Sequence, residues 1–252
     1  MMHDQIFILL FGIGGIAGLI DAIAGGGGLL TLPTTLAMGL PPHIAIGTSK
    51  LAGVMGVLNS NYVFLRKRII NPRYWLAAIF SALVGGAIGT ITLHFVTLPF
   101  LTKAIPLIII FLAVYMMIPK HVNVIARPAK YRPPITKSIS MGGIIGMYDG
   151  FIGAGSGSFY ATFAMILFKV DLLQAAALAR LMNLCSSVTA ILVFICFHSI
   201  DYAIGISLGI GYMLGSYIGA HLAIVHGKKI IKPLFLIVVC ILAGKLIWQQ
   251  WF

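Results

Sequence analysis

The sequence predicts an all-α polytopic membrane protein made of two homologous repeats, and three observations carry that prediction. Of its residues, 60% are hydrophobic and only 9% charged, far from the balance of a water-soluble domain. Apolar stretches at 74–95, 100–118, 202–225 and 233–251 each approach or exceed the roughly 20 residues that a helix needs to cross hydrocarbon. Finally, residues 18–33, GLIDAIAGGGGLLTLP, interrupt an apolar run with an acid and four glycines, and residues 146–158, GMYDGFIGAGSGS, partly repeat them. The pair predicts a duplicated chain with one special site per half.

Taken in order, the first apolar segment, 5–24, lacks a basic start and runs straight into the glycines, so it is expected as a retained helix and not a cleaved signal peptide. A short apolar piece follows to Met38, and Pro41 and Pro42 stop it. A helix over 44–65, the loop RKRIINPR, a helix over 74–95, a tight turn near Pro99 and a helix ending at 118 complete the first half. Residues 119–136, PKHVNVIARPAKYRPPIT, are basic, Pro-rich and without apolar period, which marks them as the linker between halves. The predicted organisation is repeat 1 over 1–118, a cytoplasmic linker over 119–136 and repeat 2 over 137–252. Each repeat has four long helices plus a short Gly-broken piece.

The halves align at an offset of 130 residues. Lys50-Leu51 falls on Arg180-Leu181, Phe64 on Phe194, and Gly85-Gly86-x-x-Gly89 on Gly215-Ser216-x-x-Gly219, while Asp21 meets Asp149 after a two-residue slip. Small residues at this spacing let helices approach closely in lipid, so the glycine series is expected to serve packing.

A net charge of +12 would suggest nucleic acid for a soluble chain, but here it reads as topology and no nucleic-acid partner is expected. Cations gather at Arg66, Lys67, Arg68 and Arg73, at 120–137, at Lys169, and at Lys228, Lys229 and Lys232. Equivalent loops have opposite character: RKRIINPR answers to HSIDY, and HGKKIIK to HFVTLPF. Parallel repeats share a bias and inverted repeats exchange it. If the short piece counts as a crossing, each half crosses five times and all four clusters face the cytoplasm, so inverted repeats are expected. If it is re-entrant, HGKKIIK lands on the wrong side. The partners implied are the lipid bilayer and a small substrate, and a homo-oligomer is compatible with the sequence. Cys185, Cys196 and Cys240 lie in apolar segments without metal spacing, which makes them small buried hydrophobes and implies no metal, cofactor or disulfide.

The chain has no glutamate and five aspartates, of which Asp4, Asp171 and Asp201 fall at predicted helix ends as caps. Asp21, Asp149, Lys50 and Arg180 are embedded in apolar segments, where an unpaired charge costs about 2.5 kcal/mol or more. They form either two structural pairs within the repeats, Asp21 with Lys50 and Asp149 with Arg180, or a functional site. The glycines favour the site, because a broken helix exposes backbone N–H groups that bind an anion with the help of the helix dipole. Candidate substrate-binding residues are Gly25, Gly26, Gly27 and Gly28, then Gly153, Gly155, Ser156 and Gly157, with hydroxyls from Thr48 and Ser49 and charge from Lys50 and Arg180. Asp21 and Asp149 are the candidate proton carriers. Asn59, Asn61 and Asn183 are buried amides that either line a path or tie helices together, and the second is the expectation. His94, His198 and His221 fall toward helix ends and form no ligand pattern.

GLIDAIAGGGGLLTLPTTLAMGLPPHIAIGTSKLAGVMGVL resembles the signature of the sulfite exporter TauE/SafE family, and YDGFIGAGSGSF with ARLMNL resembles its second-repeat counterpart. The chain departs from the family pattern at Ser49, where Asn is frequent, and at Arg180, where Lys is frequent. The resemblance implies a non-enzymatic secondary transporter of the bacterial inner (plasma) membrane. It would export small sulfur-containing anions such as sulfite or organosulfonates by alternating access, with the anion at the Gly-rich breaks. Two other classes stay open on the residues alone. An intramembrane aspartyl protease also needs two acids, although GLID differs from the Gly-x-Gly-Asp such enzymes resemble. A non-transporting membrane scaffold would use the linker.

Overall fold

The structure, a computed structural model, describes residues 2–117, 125–128 and 131–226. The helices are α1 (Met2–Ala24), α2 (Gly28–Ala37), α3 (Pro42–Arg66), α4 (Leu76–His94, entered through a 3-10 turn at Pro72–Trp75), α5 (Leu98–Met117), α6 (Ile135–Phe151), α7 (Ser156–Phe168), α8 (Leu172–Cys196) and α9 (Tyr202–His226). Among the described residues no strand forms. Boundaries follow local chemistry. Pro42 occupies the first turn of α3, where its missing N–H costs nothing. Asp171 and Asp201 accept the N–H groups of Gln174 and Ile204 at 2.8 and 3.0 Å, so both are caps as expected. The side chain of Asp4, Lys228 to Lys232 and the stretch 233–251 lie outside the described residues, as does most of the linker.

Among the described residues, four helices are long and apolar enough to cross a membrane: Gln5–Ala24, Pro72–His94, Leu172–Cys196 and Tyr202–Ile224. The 10-residue α2 and 13-residue α7 reach only about 15 and 20 Å at 1.5 Å per residue, well short of hydrocarbon thickness. Large apolar side chains such as Phe80, Phe111, Ile144 and Leu192 point outward, as a lipid-facing surface requires. Cys185 is half-buried and Cys196 is exposed, which corrects the expectation of enclosed thiols. A small, weakly polar thiol is as compatible with hydrocarbon as with a core.

The two halves interleave. α1 packs on α9, α4 packs on α6, and α3 meets α8 at the centre. The glycine series does serve these seams. A Cβ on Gly89 would lie 1.9 Å from the Met147 carbonyl oxygen, and one on Gly215 1.9 Å from that of Gly15. The contacts also give directions. Gly14 faces Leu208 and Gly18 faces Tyr212, so α1 and α9 run parallel; Gly85 faces Gly143 and Gly89 faces Met147, so α4 and α6 do too. Thr48 meets Asp201 and Gly56 meets Ser216, which makes α3 parallel to α9. Lys50 meets Ser187 and Asn61 meets Arg180, which makes α3 antiparallel to α8.

One end of the bundle collects positive charge. The Ile125 N–H donates to the Lys169 carbonyl at 2.9 Å, Arg127 and Gln174 exchange two hydrogen bonds, and the Arg132 guanidinium lies 5.6 Å from the centre of the Tyr74 ring. The loop after α3, the described part of the linker and the α7–α8 turn thus meet at that end. The other end is neutral and aromatic: His94 stacks on Phe197 at 4.0 Å and on His43 at 5.6 Å.

Candidate anion-binding site at the crossed helix breaks

The bare backbone of both Gly motifs serves one contact. Gly25 ends α1 with its N–H on the Asp21 carbonyl at 2.7 Å, and its own carbonyl accepts the Ser158 N–H at 3.2 Å. Ser158 also donates its hydroxyl to Ala24. Gly25 has φ +81°, and a Cβ there would lie 2.3 Å from the Ser158 nitrogen. Both the left-handed turn and the close approach therefore demand glycine. Gly28 faces the Ala154 Cα in the same manner, at 3.2 Å from where its Cβ would stand. The two broken helices cross at their breaks, and the N-termini of α2 and α7 converge there.

The embedded charges pair across the halves. Lys50 Nζ lies 2.6 Å from Asp149 Oδ1, and Arg180 Nη1 lies 2.9 Å from Asp21 Oδ2. This corrects the within-repeat pairs, Asp21 with Lys50 and Asp149 with Arg180. The cause is the antiparallel contact of α3 and α8, which points each long cation across the centre at the opposite break. All four side chains are buried and their charges sum to zero, so neither sign is left uncompensated.

Their surroundings differ. Asp149 Oδ1 accepts from Lys50, from the Ser156 hydroxyl at 2.5 Å and from Asn183 Nδ2 at 3.2 Å, and Oδ2 accepts from Ser186 and Ser187 at 2.7 and 3.0 Å. Asp21 Oδ1 accepts the Gly27 N–H at 3.1 Å, Oδ2 accepts Arg180 Nη1, and its carbonyl accepts Arg180 Nη2. Arg180 Nε has no hydrogen-bond partner among the described residues.

A cavity of about 40 Å³ lies between the pairs, room for a water or a very small solute. Of the expected residues, Asp21, Gly25, Gly28, Ser49, Lys50, Asp149, Gly153, Gly155 and Ser156 line it. Gly26, Gly27, Thr48, Gly157 and Arg180 are not in its wall. The Gly27 N–H is taken by Asp21, and a Cβ on Gly27 would lie 1.9 Å from the Tyr212 hydroxyl. The Thr48 hydroxyl accepts the Asp201 N–H at 2.9 Å, away from the breaks. Gly157 packs on the Gly25 Cα.

Sequence reasoning missed Ser186, Ser187, Gly53, Val57 and Tyr212. Asn183 proves to be a wall residue that donates to Asp149 and to Ser156 at 2.6 Å, whereas Asn59 and Asn61 tie helices through the carbonyls of Met213 and Arg180. A signal existed. Lys50, Gly53 and Val57 sit on one face of α3 at helical spacing, and the 130-residue offset maps them onto Arg180, Asn183 and Ser187.

The family model for sulfite exporter TauE/SafE matches residues 10–246. The chain belongs to the TauE/SafE family. This TauE/SafE member is 32% identical over 250 residues to a "Probable membrane transporter protein" of Haemophilus influenzae, covering 98% of this chain and 97% of that one. It is 32% identical over 251 residues to "Probable membrane transporter protein YfcA" of Escherichia coli K12, covering 99% and 93%. It is 25% identical over 233 residues to "Probable membrane transporter protein YdhB" of Bacillus subtilis, covering 90% and 93%. No solved structure matches it. With these relatives and its apolar helices, the TauE/SafE chain is a multi-pass membrane transporter of the inner (plasma) membrane.

Proposed function

We propose that this chain is a secondary transporter that exports small sulfur-containing anions, such as sulfite or organosulfonates, by alternating access at the crossed helix breaks. The observation that carries the reading is the Lys50–Asp149 pair, which joins opposite halves at 2.6 Å on the cavity wall. An anion entering there competes with Asp149 for the lysine. It also meets donors from Ser49, Ser156, Asn183 and Ser187 and the positive ends of the α2 and α7 dipoles. An aspartyl protease fits less well, since its two acids share a proton whereas here each acid has its own cation.

The motion follows from duplication. We propose that repeats 1–118 and 137–252 are inverted about the centre and joined by the cytoplasmic linker 119–136. Helix directions support this, because α1 and α3 run with α9, α4 runs with α6, and α3 opposes α8. Counterparts at the 130-residue offset therefore point opposite ways, the arrangement in which two halves rock about a fixed midplane site.

The test is thermal stabilisation of purified protein by sulfite, sulfate, methanesulfonate and acetate. Sulfite and methanesulfonate are expected to raise Tm with concentration, and acetate is not. Lys50→Ala, purified monodisperse, should lose the effect, and Lys50→Arg should keep part of it because charge survives while geometry changes. A folded Lys50→Ala that responds like wild type places the site elsewhere.

A further inference from the structure

We infer that Asp149 alone carries the coupling proton of this site, on Oδ2 and one per anion, while the Arg180–Asp21 pair is a fixed clamp on the helix break. The inference rests on the anion site proposed above. It divides two charge pairs that the duplicated sequence presents as equals.

The division comes from what each carboxylate faces. Asp21 is gripped by charge and by main chain: its oxygens accept a backbone N–H from Gly27 at 3.1 Å and the Arg180 guanidinium at 2.9 Å, both of which can only donate, and the Tyr212 hydroxyl also hydrogen-bonds this carboxylate. A proton added to Oδ2 would point at the guanidinium, which cannot accept it. Arg180 also donates to the Asp21 main-chain carbonyl, the same oxygen that accepts the Gly25 N–H. The guanidinium fork thus holds side chain and backbone together at the last turn of α1, where a cation also suits the helix dipole. Protonating Asp21 would loosen the crossing itself.

Asp149 differs at Oδ2. Its two partners there, Ser186 and Ser187, are hydroxyls, which can accept as well as donate. Ser186 already has a second outlet for its own hydrogen, the Met182 carbonyl at 3.0 Å. A proton on Oδ2 can therefore be accepted by Ser186 while the serine turns its hydrogen to Met182, with no backbone movement. On the other oxygen, Lys50 sits on a flexible stem as a compact charge and can follow an arriving anion. Three steps balance: the anion takes Lys50, Asp149 loses its counter-ion, and a proton from water neutralises Oδ2. The remaining charged and titratable neighbours are Tyr148 on the same helix, Tyr160 from α7, and Asp21, Arg180 and Tyr212 across the cavity. None of them needs to change its proton in this scheme.

The experiment is calorimetric titration of methanesulfonate, which takes up no proton of its own near neutral pH, into purified full-length protein in two buffers of different ionisation enthalpy, which counts protons taken up per anion bound. Wild type should take up one. Asp149→Asn should take up none, and Ser186→Ala, which removes the hydroxyl that accepts the proton on Oδ2 and stands outside the cavity wall, should take up less than one. Two protons or none in wild type, one proton in Asp149→Asn, or an unchanged count in Ser186→Ala would each overturn the inference and leave the anion site standing. If Asp149→Asn does not purify as a monodisperse species, the Ser186→Ala count decides. Absence of any sulfite or methanesulfonate heat in wild type would remove the anion site first, and the inference with it.

Discussion

Lys50 and Arg180 occupy matching places in α3 and α8, yet one lines the cavity and the other grips a turn of backbone. The sequence shows that both are embedded and that each has an acid in reach of its own half. It carries no signal for which acid each one meets, because the choice depends on how two central helices cross. Thr48 is a second case. A hydroxyl two residues before Lys50 reads as a donor to substrate, but its oxygen is already the acceptor for the Asp201 N–H at the start of α9. Thr48→Val is therefore expected to lower stability by about 1 kcal/mol or more, the cost of an orphaned N–H, while sulfite still raises Tm. Melting curves with and without sulfite check this. A variant that melts normally but no longer responds would return Thr48 to the anion site.

At the scale of elements, the glycine breaks are legible because four consecutive glycines weaken any helix that would run through them. That the two breaks touch each other is not legible, since the contact joins residues more than a hundred positions apart. Gly25 and Gly39 separate conformation from contact. Both have positive φ, +81° and +84°, but a Cβ on Gly39 meets nothing within 4 Å, whereas one on Gly25 runs into the Ser158 nitrogen and the Gly157 carbonyl carbon. Gly39→Ala should cost about 1 kcal/mol, the penalty of a left-handed alanine. Gly25→Ala should cost about 3 kcal/mol, because the obstructing atoms are backbone and the crossing must open to admit the methyl. Thermal melts of the two variants side by side measure the difference. Equal losses would mean that the crossing carries little of the stability.

For the whole molecule, membrane class follows from composition, while orientation depends on where the charges gather. Three basic clusters that are distant in sequence meet at one end: the loop after α3, the described linker and the α7–α8 turn. The opposite end has His43, His94 and Phe197 instead. Because α3 runs from the histidine end to the basic end and α9 runs with it, α9 is directed toward the basic end. The positive-inside rule predicts that this end faces the cytoplasm. In protein lacking Cys185, Cys196 and Cys240, single cysteines at Lys67, Lys169 and Lys229 should all be labelled from the cytoplasmic side by an impermeant reagent. One at His198 should be labelled from outside. Positions 67 and 169 are held at the same end by the fold, so they fix the reference. Position 229 then tests the inversion: labelling together with 198 would mean that HGKKIIK breaks the charge rule, that α9 does not end where its direction points, and that the five-crossing repeat is wrong.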